Sequence, residues 1–150
     1  MGIVGDSASG KTTISQGIAN ILGSDTVVII CTDDYYNYER SERVNKGLSA
    51  LSPESNYIYI LVQHLQLLKE GKPVLKPTYN HIHGNLDKPV YVEPRKFIIV
   101  EGLLSYLTCP MRNVYDVKVY VERPKISALN GKLGKIVQGV IIAKRKSPNS

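Results

Sequence analysis

Gly5-Asp6-Ser7-Ala8-Ser9-Gly10-Lys11-Thr12 fills every fixed position of the pattern G-x-x-x-x-G-K-[ST], in which a loop turns its backbone N–H groups inward around phosphate oxygens. The residue types follow from that task. Glycines tolerate the unusual dihedrals and let the backbone approach the ligand closely. Lys11 is placed to reach the β- and γ-phosphates and Thr12 to offer a hydroxyl to Mg²⁺, while the helix beginning there directs its positive end at the same anions. The flanks agree, since Gly2-Ile3-Val4 reads as a strand end and Thr12 to Leu22 as a helix with Ile14, Ile18, Ala19 and Ile21 or Leu22 on one face. Gly5 through Gly10, with Lys11, Thr12 and Thr13, are the expected nucleotide-binding residues.

The remaining composition suits this reading. With 150 residues, 43% apolar and 21% charged, the chain is long enough for one domain with its own core. No apolar run approaches a membrane span, and Met1 leads directly into a strand with no signal peptide. Cys31 and Cys109 lie far apart without metal-ligand spacing, which fits reduced cytoplasmic thiols. The net charge of +6 is concentrated in the last thirty residues, and a basic cleft also suits anionic phosphorylated substrates. The expectation is a cytoplasmic protein acting on a small molecule, with no nucleic-acid or membrane partner and with homo-oligomer formation left open.

Further along, Thr26-Val27-Val28-Ile29-Ile30-Cys31 is a continuous β-branched run, a buried parallel strand. It ends at Thr32-Asp33-Asp34-Tyr35-Tyr36, placing two carboxylates where open α/β sheets bind ligands. An aspartate there suits the proton of an attacking hydroxyl, and a carboxylate there also suits Mg²⁺. Arg40 and Arg43, one helical turn apart, suit a substrate phosphate through their bidentate forks. Ser52-Pro53 is read as the start of a scaffold helix carrying Ile58, Leu61, Val62, Leu65 and Leu68 and ending at Gly71, with His64 structural or on the surface. Prolines at 73, 77, 89 and 94 surround two extended runs, 74–75 and 90–92, read as an antiparallel excursion. Its tip, residues 76–84, is dense in hydrogen-bonding side chains and is read as a ligand-contacting loop. Lys96 to Gly102 is another buried strand, ending in Glu101 opposite the P-loop as a Mg²⁺-binding carboxylate. A short helix over 109–115 and a strand over 116–121 complete a three-layer sandwich of the P-loop NTPase class, α/β with a mainly parallel sheet.

In this order, Gly5 to Thr13, Cys31-Thr32-Asp33-Asp34-Tyr35-Tyr36, Arg40 with Arg43, Lys69-Glu70-Gly71-Lys72-Pro73, Lys76-Pro77-Thr78-Tyr79-Asn80-His81 and Val100-Glu101-Gly102-Leu103 resemble the phosphoribulokinases, within the phosphoribulokinase/uridine kinase group of P-loop kinases. The resemblance covers about residues 2 to 121. It implies transfer of the γ-phosphoryl of ATP, bound with Mg²⁺, to ribulose 5-phosphate, giving ribulose 1,5-bisphosphate for the reductive pentose phosphate cycle. It makes Asp33 the catalytic base with Lys11 on the phosphates, Thr12 and Glu101 with Asp33 the Mg²⁺ ligands, and Arg40, Arg43, Tyr79 and His81 the acceptor contacts. Tyr36 stands where phosphoribulokinases usually carry His and uridine kinases Tyr, whereas Asn80-His81 favours the sugar phosphate. Cys31 matches one half of the plant enzymes' thiol pair, but Ser9 occupies the other position. A nucleoside kinase, or a nucleotide-binding fragment without turnover, are the alternatives.

Beyond Glu122 the family's lid sequence, with its Trp-Lys-Ile stretch and phosphate-covering arginines, is replaced by Arg123-Pro124-Lys125 and a weakly patterned basic tail. Read one codon register over, Asn130 to Leu133 can spell Trp-Lys-Ile. The expectation is a kinase core over 1–122 that stops before its lid, followed by a poorly ordered out-of-frame tail over 123–150.

Overall fold

A computed structural model describes residues 1–122 and, as backbone, 139–144. Strand β1 (Gly2–Gly5) leads into helix α1 (Lys11–Leu22), then β2 (Val27–Cys31), α2 (Arg40–Asn45), α3 (Ile58–Lys69), a hairpin of β3 (Val74–Asn80) and β4 (Asn85–Val92), β5 (Phe97–Glu101), α4 (Cys109–Val114), β6 (Val117–Glu122) and β7 (Gly139–Lys144). The main sheet has the order β2-β5-β1-β6-β7, with every pairing parallel except β6 with β7.

The strands read as continuous apolar runs because helices cover both faces of the sheet. Ile3, Ile99, Val119 and Val121 pack with Ile14 and Ile18 of α1 on one face. Ile30 and Val100 pack with Leu61, Leu65, Leu68 and Met111 of α3 and α4 on the other. Neighbours such as Ile99 and Val100 thus serve opposite layers, as the period of two requires.

Two departures from the sequence reading concern helices and the excursion. Ser52 and Pro53 open a 3₁₀ turn, Pro53–Ser55, and not α3. Asn56 is extended and bridges to Tyr36. Its side chain donates to Ala50 O and Ser52 O, and Tyr57 N donates to Tyr35 O at 2.7 Å. The last of these bonds takes the amide that a helix starting at Pro53 would direct to Pro53 O, so α3 begins only at Ile58; Gly71, at φ +78, lies just beyond its end. The excursion is a regular hairpin whose strands run through most of the segment read as a loop tip, with a register shift between Lys76 and Thr78. Pro77 has no N–H to give the ladder at that point.

The third departure is β7. Gly139–Lys144 lies antiparallel along β6, with Val117 opposite Lys144 and Glu122 opposite Gly139. The run Val140-Ile141-Ile142 has the β-branched character that strands favour. The rest of the expected tail, 123–138 and 145–150, lies outside the described residues.

Candidate functional site

The carboxyl ends of β1, β2 and β5 converge because the three strands are parallel neighbours, with Cys31 in register with Glu101 and Ile3 also opposite Glu101. Everything the sequence singled out near phosphate chemistry leaves the sheet at this end. A cavity of about 520 Å³ lies at the other end, near Met1, Phe97 and Val117. Its lining holds none of the candidate residues, so donor chemistry and not concavity locates the site.

Gly5 ends β1 where a Cβ would stand 2.3 Å from Val121 O, so only glycine lets β6 pass the start of the loop. Ala8 at φ 55 and Gly10 at φ 90 turn the loop back into α1. No side chain caps that helix, which leaves its first amides to a ligand. Lys11 Nζ donates to Gly5 O at 2.9 Å and Asp6 O at 2.7 Å, so the ammonium lies across the loop where phosphates would be cradled.

Glu101 is buried. Thr12 Oγ1 donates to its Oε1 at 3.3 Å and Ser15 Oγ to its Oε2 at 3.1 Å. No cationic side chain pairs with it among the described residues, and a buried carboxylate without a cation is costly. Those residues also hold no cluster of three or more His, Cys, Asp or Glu suited to a metal. This donor set fits Mg²⁺, which is commonly held by one or two carboxylates with substrate phosphates and water. The 3.3 Å between Thr12 Oγ1 and Glu101 Oε1 is close to the roughly 2.9 Å between adjacent corners of an octahedron with ~2.05 Å bonds. Gly102, at φ 144, is required next to Glu101 because a Cβ would lie 1.8 Å from Thr32 Oγ1. The Glu-Gly pair in the sequence therefore records the packing of β5 against the turn after β2.

That turn, Thr32–Tyr35, is 3₁₀ and carries both aspartates. Thr32 Oγ1 donates to Asp33 Oδ1 at 3.4 Å, whereas Asp34 is ion-paired with the ammonium of Lys76. Burial pushes the Cys31 thiol up to about 11, which keeps it an unreactive thiol. Burial and then the charge of Asp33 raise Tyr36, opposed by Arg43, so its hydroxyl remains a neutral donor.

The acceptor candidates divide by role. Arg40 Nη2 donates to His81 O at 2.6 Å and its backbone N to Gly84 O at 2.7 Å, fastening the hairpin turn. Arg43, only 8% exposed, lies over the Tyr36 ring at 4.2 Å and donates to Tyr79 hydroxyl at 3.4 Å. Its Nη1 has no hydrogen-bond partner among the described residues. Tyr36, Tyr79 and His81 form an edge-to-face trio with centroids 4.8, 5.1 and 6.2 Å apart. His64, for which the sequence left a structural or a surface role open, shares a hydrogen bond with Tyr35 hydroxyl at 3.1 Å.

Sequence reading missed Ser15 and the pairing of Lys76. Ser15 had a signal in its spacing of three from Thr12 on the same helix, which puts both hydroxyls on one face. Lys76 stood at the start of the tip read as a ligand-contacting loop, but its ion pair had no signal in the sequence, because Asp34 is 42 residues away.

The model of the "Phosphoribulokinase / Uridine kinase family" matches residues 1–133. The chain is 34% identical to phosphoribulokinase of Synechocystis sp. over 133 residues, covering 89% of this chain and 40% of that protein. It is 33% identical to the chloroplastic phosphoribulokinase of Mesembryanthemum crystallinum, covering 81% of this chain and 35% of that protein. Uridine kinase of Latilactobacillus sakei is 34% identical, with 81% and 59% covered. Among solved structures, a possible uridine kinase from Bacillus stearothermophilus superposes with a TM-score of 0.66 at 26% identity, covering 79% of this chain and 67% of that one. Phosphoribulokinase from Rhodobacter spheroides superposes at 0.63 and 14% identity, covering 97% and 79%, a likeness of fold. The chain thus spans less than half the length of the phosphoribulokinases of Synechocystis and Mesembryanthemum crystallinum that it matches in sequence.

Proposed function

Because the chain belongs to the phosphoribulokinase/uridine kinase family, we propose that it transfers the γ-phosphoryl of ATP to a hydroxyl of ribulose 5-phosphate, giving ribulose 1,5-bisphosphate. The P-loop amides and Lys11 hold the β- and γ-phosphates, and Thr12 and Glu101 hold Mg²⁺. Bound there, Mg²⁺ supplies charge neutralisation of the phosphate oxygens. Asp33, at the mouth of the same strands, accepts the proton of the acceptor hydroxyl as its oxygen attacks.

The observation that carries the acceptor assignment is Arg43. A buried guanidinium with an Nη1 unpartnered among the described residues, set beside the Tyr36 and Tyr79 rings, calls for an anion, and a phosphate matches its fork. Uridine brings no phosphate to that position. The nucleoside reading draws on the same aromatic trio, whose ring edges and faces suit a base.

Calorimetric binding and ADP release, each measured with ribulose 5-phosphate against uridine, separate these readings. Preference for ribulose 5-phosphate that is lost in Arg43→Met supports the sugar-phosphate kinase. Preference for uridine replaces it with a nucleoside kinase, and ATP binding with neither acceptor leaves a nucleotide-binding module.

A further inference from the structure

The turn Thr32–Tyr35 sets two carboxylates side by side, yet transfer needs one base. Their partners tell them apart. Asp33 takes a hydroxyl from Thr32, while Asp34 meets Lys76, which is 8% exposed and also donates to Pro77 O at 3.2 Å. The carboxylate compensates a buried ammonium that would otherwise stand unpaired, and the pair crosses from β3 to the turn after β2. Other polar ties of the hairpin to the body among the described residues lie at its tip, through Arg40 to His81 O and Gly84 O and through Arg43 to Tyr79. Lys76 is therefore the polar link between the strand that presents Tyr79 and the turn that presents Asp33.

We propose that Lys76 is a positioning residue of the phosphoryl-transfer site: it ties the acceptor hairpin to the turn bearing the base and cancels the charge of Asp34, leaving Asp33 as the carboxylate of the pair without a cation. This rests on the kinase reading above. The charge matters because ATP and a phosphorylated acceptor bring several negative charges to the same end of the sheet. An uncompensated Asp34 would repel them, since like charges brought together disfavour the complex.

The test compares Lys76→Met, Lys76→Arg, Asp34→Asn and the Lys76→Met/Asp34→Asn double variant by calorimetric titration with ribulose 5-phosphate and with Mg²⁺-ATP. Lys76→Met should weaken ribulose 5-phosphate by about tenfold or more and Mg²⁺-ATP by a smaller factor, since Mg²⁺ offsets part of the charge of ATP. Lys76→Arg should bind as the parent does. The double variant, freed of the unpaired carboxylate, should regain most of the loss, a sign of coupling that a purely mechanical strut would not give. A double variant no better than Lys76→Met overturns the charge role. Should Lys76→Met fail to fold, the double variant decides against the parent: affinity within about threefold supports the proposal, and a loss of about tenfold overturns it. If the parent itself does not bind ribulose 5-phosphate, the acceptor assignment fails separately. Amide exchange of residues 32–36 then decides the link. Exchange about tenfold faster in Lys76→Met and restored in Lys76→Arg supports it, and unchanged exchange overturns it.

Discussion

Replacing Glu101 by Gln should make the metal-free protein more stable while weakening its hold on Mg²⁺-ATP. Glu101 is 6% exposed and its two oxygens accept hydrogen bonds from Thr12 and Ser15, with no cation paired to it among the described residues. Hydrogen bonds to a charged group contribute about 1.5–3 kcal/mol each against about 0.5–1.5 for neutral ones, so neutralising the acceptor forfeits roughly 2–3 kcal/mol over the two. Removing a buried charge relieves an effective desolvation cost of several kcal/mol. The relief wins by about 1–2 kcal/mol, provided the amide is satisfied. It can be, because Ser15 Oγ also lies 2.9 Å from Lys11 O and can redirect its single proton there, turning a lone pair to the new Nε2.

The assay is urea denaturation in EDTA, followed by calorimetric ATP titration at increasing Mg²⁺. Glu101→Gln should unfold at higher urea than the parent and lose roughly 10- to 100-fold in Mg²⁺-dependent affinity, as loss of a charged ligand or its support does. A variant that is less stable in EDTA and binds Mg²⁺-ATP as well as the parent would refute the reasoning, since Glu101 would then be a fastener between β5 and α1 and not a metal ligand.

Lys11→Ala should abolish measurable ATP affinity by calorimetry, because it removes the ammonium that lies across the P-loop. Asp33→Asn should preserve ATP affinity while lowering any turnover by roughly 10² or more, the scale of a general base; a variant as active as its parent would dismiss that role. Burial lowers His64 from its ordinary value, so below about pH 6.5 the unfolded chain binds the extra proton first. Stability should be full above that pH and decline as pH falls toward the folded value, and His64→Gln should flatten this part of a stability-versus-pH curve.

The sequence discloses the parts of this molecule whose cause is local. A P-loop is a contiguous set of dihedral demands, and a strand buried on both faces is a contiguous apolar run, so β1, α1, β2 and β5 can be read directly. The parallel order then puts Asp33 and Glu101 at one end of the sheet. What escapes is set by distant partners. The start of α3 depends on the bond from Tyr57 N to Tyr35 O and on the bridge between Asn56 and Tyr36. The division of labour between Arg40 and Arg43 depends on where the hairpin turn lands, since a helical spacing of three gives both the same prior claim to a phosphate. Lys76 depends on Asp34 across the fold. Strand β7 was hidden for another reason: six residues with glycine at one end and lysine at the other become a strand only against the free edge of β6.

The charge inventory at the site leads to the last prediction. Transfer of a phosphoryl group needs cations on the transferring oxygens, and a transition-state arginine alone contributes roughly 10³ to 10⁵ in rate. Apart from Lys11, which lies within the P-loop, the cations described around the site have other posts: Arg40 on the hairpin carbonyls, Arg43 over Tyr36, and Lys76 on Asp34. Binding of Mg²⁺-ATP can draw on Lys11 and the α1 amides, whereas Arg40 and Arg43 are engaged on the hairpin and on Tyr36. Residues 123–138, with Arg123 among them, lie outside the described residues. The 150-residue chain should therefore bind Mg²⁺-ATP and release ADP in the presence of ribulose 5-phosphate at a rate at least about 10³ below the ~1–100 s⁻¹ usual for kinases. A coupled ADP-release assay on the purified chain, with Asp33→Asn as the blank, measures this directly. Release on the ordinary kinase scale would show that the missing positive charge is supplied from beyond the described core, and the account of transfer given by these residues alone would have to be abandoned.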